Sequence, residues 1–101
     1  MAVHVLGLIE QQDPSAFEDY RKQVGTTVEQ YGGRITQRGA RGDVFWNELE
    51  CKPFSAYVQL EFPTANDAQR WAASPEYLAL VAIRNRAMQL TLFSMLPSAW
   101  S

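Results

Sequence analysis

The sequence predicts one α+β domain in the order strand, helix, strand, strand, helix, strand, and three observations carry that prediction. Residues 2 to 10, "AVHVLGLIE", are apolar and β-branched at both parities, as in a strand covered on both faces. Two stretches with helical spacing each open on a capping residue. Between them, "FSAYVQLEF" (residues 54 to 62) alternates as a half-buried strand must. A chain of 101 residues suits a single domain spanning residues 1–101, with 97–101 as a short tail.

In "DPSAFEDYRKQVGTTVEQYGG", Asp13 can accept hydrogen bonds from the free amides of a first turn and Pro14 fits that turn. Phe17, Tyr20, Val24, Val28 and Tyr31 recur every three or four residues and form one stripe. Gly32 and Gly33 end the helix, because glycine accepts the left-handed conformation there. "RITQRG" follows as a second strand, then a hairpin-like excursion, "ARGDVFWNELECKP". In the third strand Phe54, Ala56, Val58, Leu60 and Phe62 face one way, and Ser55, Tyr57, Gln59 and Glu61 the other. Thr64 with Asp67 resembles a capping box for a second helix through Ala68, Trp71 and Ala72. Ser74 and Pro75 restart that helix, with Leu78, Val81 and Leu80 as its buried side, and "MQLTLFSML" is the last strand.

This order is the split βαβ arrangement, a ferredoxin-like antiparallel four-stranded sheet with both helices on one face. The first and last strands are apolar at both parities, so a bare sheet face would show water a large apolar patch. A homodimer pairing sheet against sheet resolves this.

Composition narrows the partners. Apolar residues at 47% and charged residues at 20% are globular values. A formal net charge of −2 with interleaved arginines gives no basic footprint for nucleic acid. No stretch approaches the roughly 18 apolar residues of a membrane span. The first residues lack the basic segment of a signal peptide, so a soluble cytoplasmic protein is expected. One cysteine and one histidine exclude an internal disulfide framework and the usual zinc sets. "YGGR" lacks the preceding strand and the lysine of a phosphate loop. No metal or other cofactor is expected.

The pattern "DPSAFEDY…YGGRITQRG…LEFPTANDAQRWAASPEYLAL…IRNRA", from about Asp13 to Ala87, closely resembles domain-of-unknown-function family 1330 of the dimeric α+β-barrel superfamily. "YGGR" with "RG" after it, and "SPEY" followed by two arginines, are its most specific parts, in this order and spacing. The resemblance implies a ferredoxin-like protomer, a face-to-face dimer and little chemistry. The superfamily includes cofactor-independent monooxygenases, muconolactone isomerases and haem-binding chlorite dismutases, and a shared fold transfers none of these activities. The insert-like "FWNELECK" and the tail "PSAWS" depart from the family pattern.

His4 is the side chain whose ordinary pKa lies nearest neutrality, and it shares the parity of Leu6 and Leu8. If that parity lines a cleft between sheet and helices, His4 is the natural catalytic acid or base; the alternative is a histidine satisfied by a backbone carbonyl. Arg38, at the parity of Arg34 and Thr36, can hold a carboxylate or phosphate in two-pronged fashion, or pair with a surface acid. Arg84 falls beside the packed helical stripe and is the candidate anion contact, while Arg86 points to solvent. Tyr20, Tyr57, Tyr77 and Trp71 are the aromatic candidates, and core packing is the plain alternative for Tyr20 and Trp71. Tyr57 and Gln59 project from one strand face toward a pocket wall or a wet dimer seam. Cys51 has no base beside it in sequence and is a poor nucleophile candidate.

The leading functional expectation is a small cofactor-independent pocket enzyme acting on an organic acid, phenol or lactone. His4 would move a proton in isomerase, cyclase or lactone chemistry, and Tyr20, Arg38, Tyr57, Trp71 and Arg84 would bind substrate. A non-catalytic binding or sensing module and a structural dimerising protein are the alternatives.

Overall fold

The computed structural model describes residues 2–96, so the expected tail at 97–101 lies outside the described residues. The elements are β1 (Val3–Gln11), α1 (Pro14–Gln30), β2 (Arg34–Ala40), β3 (Ala56–Phe62), α2 (Ala65–Ala72), α3 (Pro75–Leu78), α4 (Val81–Ala87) and β4 (Met88–Met95). The strands form one antiparallel sheet in the order β2-β3-β1-β4. This is the expected ferredoxin-like α+β fold with helices on one face.

Local sequence explains the element boundaries. Asp13 accepts the Ser15 and Ala16 amides at 3.0 and 3.2 Å, which closes the start of α1. Gly32 adopts φ +80° just past its end, where a side chain would be strained. Thr64 caps α2 by accepting the Asp67 amide and donating to its carboxylate. Ser74 Oγ donates to the Trp71 carbonyl and accepts the Tyr77 amide, so the chain turns sharply between α2 and α3.

Register sorts each strand residue to a face. Val5 lies opposite Leu60 and Ser94, and Ile9 opposite Ala56 and Leu90, on the helix side. His4 lies opposite Glu61 and Met95, Leu6 opposite Gln59 and Phe93, and Leu8 opposite Tyr57 and Thr91, on the open side. The first strand therefore alternates between buried and half-buried residues, where coverage of both faces was expected. The core joins Val3, Val5, Leu60 and Phe62 to Val28 of α1 and Trp71 of α2.

Two further expectations are corrected. Leu78, expected on the buried side, is 53% exposed, and Tyr77, 3% exposed, fills that place. The cap at Ser74 and the break before α4 rotate the short α3 so that Tyr77 and Leu80 point inward. The third strand, expected from Phe54, starts at Ala56, and the Phe54 carbonyl accepts from Arg41 Nε at 2.8 Å.

The segment between β2 and β3 is an arm braced by hydrogen bonds between the Asn47 side chain and the Cys51 backbone. Its Phe45, Trp46 and Leu49 are 80, 79 and 90% exposed.

Candidate functional site

A cavity of about 280 Å³ opens between α1 and the helix side of the sheet. Ile9, Val58, Leu60, Leu90 and Leu92 supply its apolar floor, with Phe17, Tyr20 and Val24 of α1 as one wall and Trp71 of α2 beside them. Arg21 and Arg38 also line it. Its size, just below the usual range of small-molecule pockets, suits a ring or short chain with a polar end.

Arg38 reaches this cavity through an irregularity in β2. Arg34 lies opposite Glu61 and Ile35 opposite Leu60, but Gln37 is the next residue paired, opposite Gln59. Thr36 is an extra residue, its Oγ1 donating to the Gln59 carbonyl at 3.1 Å. This bulge resets the alternation, so Arg38 lies opposite Val58 on the helix side. Simple parity would have kept Arg38 on the face of Arg34, which is the open face.

The charges around the cavity differ in their partners. Arg21 pairs with Glu18 at 3.2 Å within α1, an exposed contact of little energetic weight. Arg38 has neither an ion pair nor a side-chain hydrogen bond among the described residues. Desolvation first, and then the like charge of Arg21, lowers its pKa from the ordinary arginine value. An arginine stays protonated under such shifts, so Arg38 presents a positive charge with no acid in contact, Glu18 acting on it only from farther away.

Beside the cavity lies a network of hydroxyls. Tyr20 and Tyr77 hydroxyls meet at 2.9 Å, and Arg84 Nη1 donates to the Tyr77 hydroxyl at 3.0 Å. Burial, and secondarily the Tyr77 neighbour, pushes the Tyr20 phenol well above its ordinary range. It is a neutral donor at physiological pH. Trp71 Nε1 donates to Thr27 Oγ1 at 3.0 Å, and that hydroxyl donates to the Val24 carbonyl at 2.7 Å. Trp71 stacks against Tyr77 with ring centroids 4.4 Å apart.

The six residues expected around one pocket are thus divided. Tyr20, Arg38 and Trp71 line the cavity. Arg84 stands one contact behind it, bonded to Tyr77, and not as a direct wall. Tyr57 borders the cavity, but its ring lies on the open face over Gly39, where any β-carbon would come within 2.7 Å of it. His4 is also on the open face, its Nε2 3.7 Å from Glu61 Oε2 and its Nδ1 3.4 Å from Gln59 Nε2. The parity of Leu6 and Leu8 proves to be the open one, so His4 does not lie in a cleft between sheet and helices. Arg34 donates to the same Glu61 at 3.1 Å.

Arg21 was not among the expected site residues, and Tyr77 was an aromatic candidate without a place at the pocket. Arg21 follows Phe17 by four residues and precedes Val24 by three, so the helical stripe already placed it at the cavity. Tyr77 carried a weaker signal in the cap and proline just before it.

The family model described as "Domain of unknown function (DUF1330)" matches residues 2–95. The chain belongs to that family. No curated protein matches it. Among solved structures, a protein of unknown function from Rhodopseudomonas palustris is similar with a TM-score of 0.75 at 18% identity, over 96% of this chain and 82% of that one. SnoaB, a cofactor-independent oxygenase from Streptomyces nogalater, has a TM-score of 0.62 at 13% identity, over 97% and 96%. A dimeric ferredoxin-like protein of unknown function from Jannaschia sp. CCS1 has a TM-score of 0.65 at 8% identity, over 96% and 100%. These likenesses show the fold. Among the described residues, no cluster of three or more His, Cys, Asp or Glu side chains gathers as a metal site would need. Among them too, no helix is long and apolar enough to cross a membrane.

Proposed function

We propose that this DUF1330 chain binds a small, largely apolar organic acid, phenolate or lactone-derived anion in the cavity between α1 and the sheet. One observation carries the reading: the bulge delivers Arg38, a cation with no acid in contact among the described residues, to a largely apolar cavity. The ring or chain fills the floor of Ile9, Val58 and Leu92, and the anionic end meets the guanidinium in a charge-assisted bond. Homodimer formation through the open sheet face, as the dimeric neighbours suggest, leaves this cavity on the outer side of each protomer.

Turnover without a cofactor is the use that the likeness to a cofactor-independent oxygenase supports. The described residues lining the cavity include no Asp, Glu, His or Lys. The chemistry that fits is therefore loss of a proton to solvent water by an already acidic ligand, a phenol or an enolisable acid, whose anion Arg38 stabilises. His4 has no part in it. The same lack of a base in the cavity favours a second reading, binding or sensing without turnover.

A thermal-shift screen of benzoates, arylalkanoates, phenols and lactones tests the proposal, since a ligand that binds only the folded state raises Tm by mass action. Anionic members should raise the Tm of the wild type and lose that effect in Arg38→Met. A screen in which nothing shifts, or in which Arg38→Met responds like the wild type, removes the reading. Consumption of a stabilising compound, followed by absorbance, separates enzyme from binder.

A further inference from the structure

In the hydroxyl pair beside the cavity one hydrogen is left over whichever way the bond runs, and the surroundings of the two oxygens decide which one. Each tyrosine hydroxyl has one hydrogen to donate, and arginine only donates. Arg84 Nη1 donates to the Tyr77 oxygen, so that oxygen is an acceptor in the contact. Tyr77 is 3% exposed, and its own hydrogen needs an acceptor too. Among the described residues the acceptor within reach is the Tyr20 oxygen, 2.9 Å away. With Tyr77 as the donor the spare hydrogen sits beside the cavity, whereas with Tyr20 as the donor it would be stranded in the core. The Tyr20 hydrogen is then left over, on a residue that lines the cavity and has no other hydrogen-bond partner among the described residues.

We infer that Arg84, acting through Tyr77, fixes the Tyr20 hydroxyl as a donor aimed into the cavity, so that the preferred ligand is an acid bearing a second acceptor, a carbonyl oxygen. This rests on the binding reading above and adds the ligand's second polar group. Arg38 takes the carboxylate and Tyr20 takes the carbonyl. Arg84 is a positioning residue that does not touch the ligand. An acid without the carbonyl leaves the Tyr20 hydrogen unpaired in an apolar wall, and that loss is the source of discrimination. The network is also polarised from one end, because a donor whose oxygen already accepts from a charged chain is the stronger donor.

The test uses matched pairs of arylalkanoates with and without a carbonyl. Phenylpyruvate against 3-phenylpropanoate has the carbonyl next to the carboxylate; 3-benzoylpropanoate against 4-phenylbutanoate has it two methylenes away. Titration calorimetry should show the wild type preferring the carbonyl member of at least one pair by about fivefold to tenfold. Tyr20→Phe should bring that ratio to about one, the carbonyl member losing its advantage over the plain acid. Tyr77→Phe and Arg84→Ala should lower the ratio as well, and Arg84→Lys, which keeps a donor, should restore part of it. A ratio of one in the wild type for both pairs, with binding still dependent on Arg38, overturns the directed donor and leaves the binding reading standing. A ratio that Arg84→Ala and Tyr77→Phe do not change overturns the role of Arg84. Failure of every compound to bind removes both readings together. The direction itself is read without ligand by NMR: a slowly exchanging hydroxyl proton assigned to Tyr77 supports it, and one assigned to Tyr20 instead overturns it.

Discussion

Trp71 shows how a core residue and a site residue can be the same side chain. Its ring packs against Phe62 and Tyr77 while one edge borders the cavity, and its only hydrogen donor is spent inward on Thr27. Thr27→Val keeps the shape and strands that buried indole N–H. We expect a loss of about 1–3 kcal/mol in urea unfolding, with ligand affinity little changed. Tyr20 gives a pH signature. Its phenol is raised in the folded state above the ordinary value of 10.0 that it regains on unfolding. Above that pH the unfolded chain releases a proton the folded chain retains, so stability falls as pH rises; below it the term is flat. Tyr20→Phe should flatten the alkaline limb of Tm against pH between 9 and 11, and an unchanged limb would show that this phenol is not held protonated by the fold.

The helix α1 and the strand β2 mark the range of what local sequence discloses. Asp13, Pro14 and the paired glycines each state a boundary through their own chemistry, so α1 was legible from end to end. The cavity wall of Tyr20 and the indole of Trp71 followed from the same helical spacing. The face of β1 was not legible, because Val3, His4, Val5 and Leu6 are all compatible with either side and only the partner strands decide. Tyr57 was assigned its polar parity correctly, but what that parity faced was beyond one strand's pattern. The bulge in β2 was hidden for a sharper reason. Thr36 is a good strand residue, and nothing in "RITQRG" announces that it goes unpaired. Deleting Thr36 removes the extra residue yet keeps Gln37 opposite Gln59 and Arg38 opposite Val58. Ligand affinity should survive the deletion, and Arg38→Met should still abolish it in that background. If β2 were regular, a dependence on Arg38 would appear only after the deletion.

The molecule has two layers, a sheet and one set of helices, with extents of 35 × 35 × 19 Å. A sheet with one uncovered face is a common prelude to association, and here Leu6, Leu8, Phe93 and Met95 share that face with the polar cluster of His4, Glu61 and Arg34. A two-fold dimer is self-complementary, so one charge placed in the apolar part is met twice. Light scattering should give twice the protomer mass for the wild type and one protomer mass for Leu6→Arg. A monomeric wild type would leave the open face without the proposed partner. In the proposed dimer His4 would lie in the seam between sheets, on the face opposite the cavity.

The most direct measurement is titration calorimetry of 3-phenylpropanoate against the wild type, Arg38→Met and Arg34→Met. The two arginines are four residues apart on one strand, and the bulge sends them to opposite faces. Arg38→Met should weaken binding by about tenfold or more, the cost of losing a charge-assisted hydrogen bond, while Arg34→Met should match the wild type. Equal affinity in all three proteins, or weakening by Arg34→Met alone, would contradict both the placement of Arg38 in the cavity and the ligand chemistry built on it.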